Sequence, residues 1–126
     1  MPTSPELVPG AVHWAELDPR VGREQGGRRP ALVVASRGFL DVLDTLAIVV
    51  PVTSVDRGWP NHVPLAGLGR PSFAMTEQVR ALARIRLHGV LGVASPQELA
   101  EVRRWLGDFL DLPTPGTGRT ARGRSR

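Results

Sequence analysis

Gly22-Arg23-Glu24-Gln25-Gly26-Gly27-Arg28-Arg29-Pro30 leads without interruption into the apolar segment Ala31-Leu32-Val33-Val34-Ala35. The first part carries one carboxylate, one amide and three guanidiniums, and the second part predicts a buried strand. Adjacent glycines permit a sharp turn that leaves backbone amides facing a ligand, and Pro30 restricts Arg29 to an extended conformation. We therefore predict a loop that holds reactive side chains in place beside a strand. The alternative is a solvated turn whose arginines only aid solubility.

Short apolar segments separated by glycine and proline surround this stretch. Ala11–Leu17 is predicted as the first strand and Ala31–Ser36 as the second. Leu46–Val52, the most apolar segment, is predicted as a central strand. Further candidates are a helical turn over Arg37–Asp44, an edge strand His62–Leu65, an extended segment Ser72–Leu82 and a last strand Gly89–Ala94. The pattern predicts a mainly β, α+β fold, a small antiparallel barrel.

One helix has a defined start. Ser95-Pro96-Gln97-Glu98 combines an N-cap serine, a proline at the first helical position and a glutamate three residues after the cap, which is a capping box. The apolar residues that follow share one helical face: Leu99, Val102, Trp105, Leu106, Phe109 and Leu110. This amphipathic helix is predicted to span Gln97 to Leu110 and to close the barrel.

Length and charge limit the possible functions. The 126 residues are enough for one domain, and the absence of cysteine excludes disulfides, cysteine-bound zinc and thiol chemistry. All sixteen basic residues are arginines, and four of them follow Pro113, so residues 1–112 hold twelve arginines against twelve acids. Any nucleic-acid binding must therefore come from local placement of arginines. We predict one domain over 1–112, a disordered Arg-rich tail over 113–126, and a soluble cytoplasmic protein without a membrane span.

Three segments resemble, in order, the motifs of the MazF/PemK toxin family. They are Gly22–Val33, Val50–Ser54 with Gly58-Trp59-Pro60, and Phe73–Arg80. The resemblance extends from about Pro9 to Leu110. Members of this family are bacterial endoribonucleases of toxin–antitoxin modules. The resemblance implies an SH3-like barrel, a homodimer, cleavage of single-stranded RNA without metal or cofactor, and a MazE-like antitoxin as partner.

The resemblance also indicates three candidate catalytic residues. Arg29 matches the catalytic arginine of the family and would bind the phosphate that a ribose 2′-hydroxyl attacks. A part for Arg29 in proton transfer stays open, because a guanidinium is a poor base near neutral pH. Thr53 matches the catalytic threonine and would donate its hydroxyl to a non-bridging oxygen. Glu24 is the alternative base, since a desolvated carboxylate has suitable acidity, unless it only forms an ion pair with an arginine such as Arg28.

The residues predicted to bind RNA are Gln25, Arg28, Ser54, Arg57, Trp59, Gln78 and Arg80. Amides can read base edges, arginines can bind phosphate through two parallel hydrogen bonds, and a tryptophan can stack on a base. Each has an ordinary alternative: a plain amide, a salt bridge from Arg80 to Glu77 or Asp56, or a Trp59 that covers a core. The histidines are scattered, so a catalytic or metal-binding pair is not predicted.

Two other functions remain open. A related branch of the fold poisons gyrase by binding protein, but that branch lacks the Arg-Pro and threonine combination present here as Arg29, Pro30 and Thr53. The other alternative is an RNA-binding relative that does not cleave. Cleavage of naked RNA would separate the ribonuclease from both alternatives, and a supercoiling assay would detect the gyrase poison.

Overall fold

An antiparallel sheet and one long helix make up the computed structural model, which describes residues 6–17 and 27–113. The strands are β1 Ala11–Glu16, β2 Arg28–Val33, β3 Leu46–Thr53, β4 His62–Pro64, β5 Phe73–Met75, β6 Arg80–Ala83 and β7 Leu87–Val93. The helices are α1 Arg37–Val42 and α2 Pro96–Phe109, with 3₁₀ turns at Thr76–Gln78 and Arg84–Arg86. The mainly β, α+β class is as predicted.

The strand order is β4-β5-β3-β2-β1-β7, and β6 pairs with the first half of β3. Strand β3 is central, as predicted, because it pairs with β2, β5 and β6. Strand β4 lies at one end of this order, which agrees with the predicted edge strand. The pairings among the described residues leave β4 and β7 unjoined, so closure into a barrel is not confirmed.

Side chains along β2 and β3 alternate between two hydrophobic clusters. Ala31, Val33 and Val49 belong to the cluster that includes Leu40 of α1. Their neighbours in β2 and β3 belong to the cluster that includes Val102 of α2. Because both faces of these strands are buried, their sequences are continuously apolar rather than alternating. The polar residues therefore lie at the strand ends, where Arg28 and Arg29 open β2 and Thr53 closes β3.

Helix α2 begins as predicted. The Ser95 hydroxyl accepts from Glu98 N at 3.0 Å, and the Glu98 carboxylate accepts from Ser95 N at 2.9 Å. Val102 is fully buried, and the apolar residues beside it pack on the same cluster: Leu99, Trp105 and Leu106. The end of the apolar face is not covered by the described residues, because Phe109 is 48% exposed and Leu110 is 68% exposed.

The second strand starts earlier than predicted. It begins at Arg28 rather than Ala31, because Arg28 and Arg29 pair with Glu16 and Ala15 of β1. The two arginines therefore belong to the sheet and not to the glycine-rich loop. The hydrogen-bonded ladder fixes their backbone, so their side chains start from defined positions.

The predicted extended segment Ser72–Leu82 is interrupted. A 3₁₀ turn separates β5 from β6 at Thr76, which is fully buried and donates its hydroxyl to the Asn61 carbonyl at 2.7 Å. This contact comes from a residue distant in sequence, so no local pattern indicates the turn.

Some predictions fall outside the described residues. They concern Glu24 and Gln25 with the rest of the segment from 18 to 26, and the tail after Pro113. In the part of the chain that the structure describes, no helix is both long and apolar enough to cross a membrane.

Candidate active site

The start of β2 lies beside the end of β3. Their ladder ends where Ala31 pairs with Pro51, and Arg29 and Thr53 each lie two residues beyond this pair in their strands. Both side chains line one pocket of about 250 Å³. The sheet thus brings together the arginine and the threonine that the sequence predicts as catalytic.

This pocket, called here the Arg29–Thr53 pocket, is lined by arginines and hydroxyls. Its lining residues are Trp14, Arg28, Arg29, Pro30, Val52, Thr53, Ser54, Arg70 and Ser72. Three of them are guanidiniums, and the described lining contains no carboxylate. A pocket with three fixed positive charges and three hydroxyls suits an anionic ligand such as a phosphate.

The arginines of the pocket are available to a ligand. Within residues 6–17 and 27–113, the side chains of Arg29 and Arg70 form no hydrogen bond or ion pair. Arg28 lies 3.9 Å from the Glu16 carboxylate, a long contact at a partly exposed position. By contrast, Arg84 and Arg103 donate to backbone carbonyls and serve the fold. Among residues 6–17 and 27–113, the arginines without a partner are therefore Arg29 and Arg70 at the pocket and Arg57 in the loop between β3 and β4.

The Thr53 hydroxyl has one of its lone pairs engaged. Its Oγ1 accepts from Val55 N at 3.1 Å, in a turn that the strand end forms on itself. The hydroxyl hydrogen is not used by this bond, so it can be donated to an oxygen in the pocket.

A second pocket, also about 250 Å³, adjoins Arg29 from its other side and is called here the Gln78 pocket. Its lining residues are Leu17, Arg29, Pro51, Met75, Gln78 and Arg80. Arg80 donates to the Leu17 carbonyl at 2.6 Å, and no described contact supports the alternative salt bridge to Glu77 or Asp56. The structure therefore places Gln78 and Arg80 together, one pocket away from Thr53.

Arg57 and Trp59 lie in the loop between β3 and β4 and line neither pocket. Gly58 takes a left-handed conformation with φ +73° there, and its N–H donates to Asp56 at 2.9 Å. Trp59 is 49% exposed and its described ring contact is with His62, at 4.8 Å between ring centroids. Trp59 therefore covers one buried residue and leaves much of its surface to solvent.

Glu16 connects the Arg29–Thr53 pocket to β7. Its carboxylate accepts from His88 Nε2 at 2.6 Å, and His13 Nδ1 donates to the His88 carbonyl at 2.7 Å. The hydrogen bond from His88 lowers the pKa of Glu16 below its usual value, burial opposes this, and the charges of Arg28 and Arg86 add to it. Glu16 thus stays ionised and balances the charge of Arg28.

Three pocket residues are not among the sequence predictions. They are Trp14, Arg70 and Ser72, which lie outside the three family motifs. A signal for Arg70 exists, because Gly69-Arg70-Pro71 repeats the glycine, arginine and proline of the first motif. Ser72 is buried and donates its hydroxyl to the Arg70 carbonyl at 3.0 Å, which helps to fix the segment that carries Arg70.

A candidate proton acceptor is missing from the described lining of both pockets. Neither pocket contains a carboxylate or an imidazole within the part of the chain that the structure describes. Glu24 and Gln25 belong to the segment 18–26, which lies outside the described residues. Leu17 lines the Gln78 pocket, and Gly27 directly precedes Arg28.

The fold is an α+β fold with an antiparallel sheet and a C-terminal helix, and an arginine-lined pocket lies at the ends of two of its strands. Residues 9–110 match the family described as PemK-like, MazF-like toxin of type II toxin-antitoxin system, and this chain belongs to that family. The resemblance seen in the sequence is thereby confirmed.

Relatives with known names share about a third of their residues with this chain. The endoribonuclease toxin MazF of Escherichia coli strain K12 is 35% identical over 95 residues, which are 75% of this chain and 85% of that protein. Endoribonuclease MazF9 of Mycobacterium tuberculosis is 35% identical over 112 residues, which are 82% and 95% of the two chains.

Solved structures show the same fold. The MazE-MazF (Form-II) crystal structure from Deinococcus radiodurans matches with a TM-score of 0.75 at 37% identity, covering 86% of this chain and 98% of that chain. MazF (Form-I) from the same organism matches with a TM-score of 0.70 at 38% identity, covering 84% and 97%.

Proposed function

We propose that this chain is the toxin of a toxin–antitoxin module and acts as an endoribonuclease that cuts single-stranded RNA at specific sequences. The observation that carries the proposal is the pocket shared by Arg29 and Thr53, with Arg28 and Arg70 beside them. Relatives at 35% identity bear the name endoribonuclease, which supports the proposal that this pocket binds an RNA phosphate.

The proposed reaction uses the RNA as its own nucleophile. Glu24 accepts the proton of a ribose 2′-hydroxyl, whose oxygen forms a bond to the adjacent phosphorus. Arg29 and Thr53 donate hydrogen bonds to the non-bridging oxygens as negative charge develops on them. The bond to the 5′-oxygen breaks, solvent supplies one proton to that oxygen, and Glu24 returns its proton to solvent. The products are a cyclic phosphate and a 5′-hydroxyl.

We propose that no metal takes part, because the guanidiniums of the Arg29–Thr53 pocket can supply the positive charge. Arginine stays protonated throughout the physiological pH range. In a pocket that is partly shielded from water, such charges act on a phosphate more strongly than they would in bulk solvent.

The nucleotides on either side of the cut are proposed to follow the surface around Arg29. Gln78 and Arg80 line the pocket on one side of it, and Ser54 lines the pocket on the other. Gln25, Arg28, Arg57 and Trp59 complete the proposed RNA contacts. Amides read base edges and arginines hold phosphates in this scheme.

The proposed partners follow from the family. Solved neighbours include a MazE-MazF structure, so we propose a MazE-like antitoxin whose acidic segment covers the arginines of the site. We further propose that the protein is located in the cytoplasm, where messenger RNA is present. We also propose that residues 1–112 form one domain with a separate tail, and that the sheet curves into an SH3-like barrel.

The proposed homodimer has a candidate surface. An apolar groove of about 300 Å³ lies between α1, β3 and the end of α2, and its lining includes Phe39, Val79, Phe109 and Leu110. From the sequence, we expect the dimer face to include either the segment Phe73–Leu82 or the helix Gln97–Leu110, and the groove is lined by residues of both. We expect Leu110→Asp to convert a dimer into a monomer, because it places a charge in this groove. Sedimentation of both proteins tests this, and an unchanged dimer would place the interface elsewhere.

The proposed activity is tested by incubating the protein with a long single-stranded RNA in excess EDTA and mapping the ends. We expect discrete cuts that leave a cyclic phosphate and a 5′-hydroxyl, lost in Arg29→Ala and in Thr53→Val. Arg104→Ala is the matched control, because Arg104 is an exposed arginine on α2 that pairs with Glu101 at 2.7 Å. Absence of cutting on several RNAs would contradict the proposal and direct the next test to DNA supercoiling.

A further inference from the structure

A buried histidine ties the loop that carries Trp59 to the turn that carries Gln78. The His62 side chain is 2% exposed, and its Nε2 lies 3.0 Å from each oxygen of the Glu77 carboxylate. Because an ionised carboxylate can only accept hydrogen bonds, His62 Nε2 carries the hydrogen and donates it to Glu77. Glu77 directly precedes Gln78, so the bond connects the two segments.

The other side of the imidazole supports Trp59. The two ring centroids are 4.8 Å apart with the planes tilted by 47°, and the backbone N–H of His62 donates to the Trp59 carbonyl at 3.1 Å. This is a usual geometry for an attractive aromatic contact. The indole therefore has one side held by the protein while about half of its surface, 49%, is exposed.

Glu77 is held as an ionised acceptor by a second donor. Asn61 Nδ2 donates to its Oε1 at 2.8 Å and also to Thr76 Oγ1 at 3.1 Å. Burial raises the pKa of Glu77, but the hydrogen bonds to its carboxylate, first that from His62, together with the nearby His62 outweigh burial, and the pKa is lowered overall. A charged acceptor with two side-chain donors fixes the geometry with which the loop that carries Trp59 contacts the turn that carries Gln78.

We propose that His62 and Glu77 are positioning residues that present Trp59 as a stacking surface for an unpaired RNA base at a fixed separation from Gln78. The inference rests on the proposed function. It adds to it how the protein keeps the base-stacking residue at a fixed position relative to the base-reading residue. A platform fixed before binding loses less conformational freedom when a base stacks on it. Neither residue lines the Arg29–Thr53 pocket, so the chemical step does not depend on the hydrogen bonds between His62 and Glu77.

The test compares RNA affinity with turnover. The probe is an RNA of about 12 nucleotides around a mapped cut, a length suited to a small single-strand site, with 2′-deoxyribose at the attacking position to prevent cleavage. Trp59→Ala is expected to raise the Kd by about 5- to 140-fold, the loss of one stacked base, while Trp59→Phe retains most of the affinity. On all-ribose RNA the loss in Trp59→Ala is expected mainly as a raised KM, with a smaller change in kcat.

His62→Phe keeps a ring beside Trp59 but cannot donate to Glu77. It is expected to raise the Kd in the wild-type background and to have no further effect in the Trp59→Ala background, since it acts through the indole. The fluorescence difference between wild type and Trp59→Phe isolates the emission of Trp59. Its anisotropy should fall in His62→Phe as the indole gains freedom. If His62→Phe does not fold, the effect of Glu77→Gln on the Kd is compared in the wild-type and Trp59→Ala backgrounds instead.

Equal losses of affinity from His62→Phe in both backgrounds would overturn the inference, as would a Trp59→Ala protein that binds the probe like wild type. In these outcomes wild type still cuts RNA and the proposed function stands. A wild-type protein that neither cuts long RNA nor binds a random pool of single-stranded RNA would overturn the proposed function, and this inference with it.

Discussion

Arg29 is at once a strand residue and a pocket residue. Its backbone pairs with Ala15 in the sheet, while its guanidinium has no partner among the described residues. A side chain that contributes little to folding but starts from a fixed backbone position is well placed to bind a ligand oxygen. Substitution of this residue should therefore affect activity much more than stability.

We expect Arg29→Lys to lower kcat by about 100-fold, because the ammonium keeps the charge but loses the fork of parallel donors that a phosphate accepts. The melting temperature should stay that of wild type, since the side chain is exposed. Initial rates of RNA cleavage and thermal unfolding measure the two effects. A lysine variant with full activity would show that charge alone suffices.

Glu77 makes stability depend on pH. Its pKa in the folded protein is lowered from 4.5, so the ionised carboxylate stabilises the folded state. This contribution is complete above pH 4.5 and is lost as the pH falls through the lowered pKa. We expect the wild type to exceed Glu77→Gln in free energy of unfolding at pH 7, with the difference shrinking in acid. Denaturant unfolding at several pH values measures it, and a constant difference would contradict the assignment.

At the level of elements, the packing of β7 against the loop that precedes β5 depends on one glycine. A Cβ at Gly92 would lie 2.7 Å from Leu68 Cδ2 and 2.9 Å from the carbonyl oxygen of Gly67. The leucine can move, but the backbone oxygen cannot move without displacing the loop. The position therefore requires the absence of a side chain.

We expect Gly92→Ala to destabilise the protein by about 1–3 kcal/mol, the usual cost of forcing extra atoms into packed structure. Gly89→Ala in the same strand is the matched control, since a Cβ there meets nothing within 4 Å. Denaturant unfolding of both variants gives the comparison. Equal stabilities would mean that the loop moves away freely.

The elements that the sequence predicts best are those whose signals are local. The capping residues of α2 and the unbroken apolar run of β3 are of this kind, and both elements are found within one residue of the expected bounds. The start of β2 at Arg28 and the turn at Thr76 depend instead on partners in β1 and at Asn61. Such contacts between distant segments cannot be read from a local pattern.

The residues of the site also divide into those that a local motif predicts and those that depend on contacts between distant segments. Arg29 and Thr53 could be predicted because each belongs to a recognisable motif, and the pairing of β2 with β3 places them in one pocket. Arg70 reaches that pocket from the segment before β5, a placement that depends on the fold of the whole chain. Trp14 carries no signal that distinguishes a pocket wall from a core residue.

For the whole molecule, charge is divided unevenly along the sequence. Residues 1–112 have as many arginines as acids, and the four remaining arginines follow Pro113. Long-range attraction to RNA should therefore depend on the tail, while the choice of cut depends on the pockets.

We expect a protein truncated after Pro113 to bind RNA with a weaker dependence on salt and to cut at unchanged positions. Each phosphate contact that is lost reduces the slope of log K against log salt by about 0.7 for a single strand. Titrations at several salt concentrations, with end mapping, test this. An unchanged slope would exclude the tail from binding, and altered cut sites would give it a role in recognition.

The position of Arg29 between two pockets also matters for the search for inhibitors. Because this side chain lines both pockets, a small anionic fragment bound in either one would occupy donors that the other also uses. Fragments found separately for the two pockets should therefore compete with each other despite having different neighbours. A single linked compound that carries one acid at the shared arginine would reach both pockets without requiring a second charge.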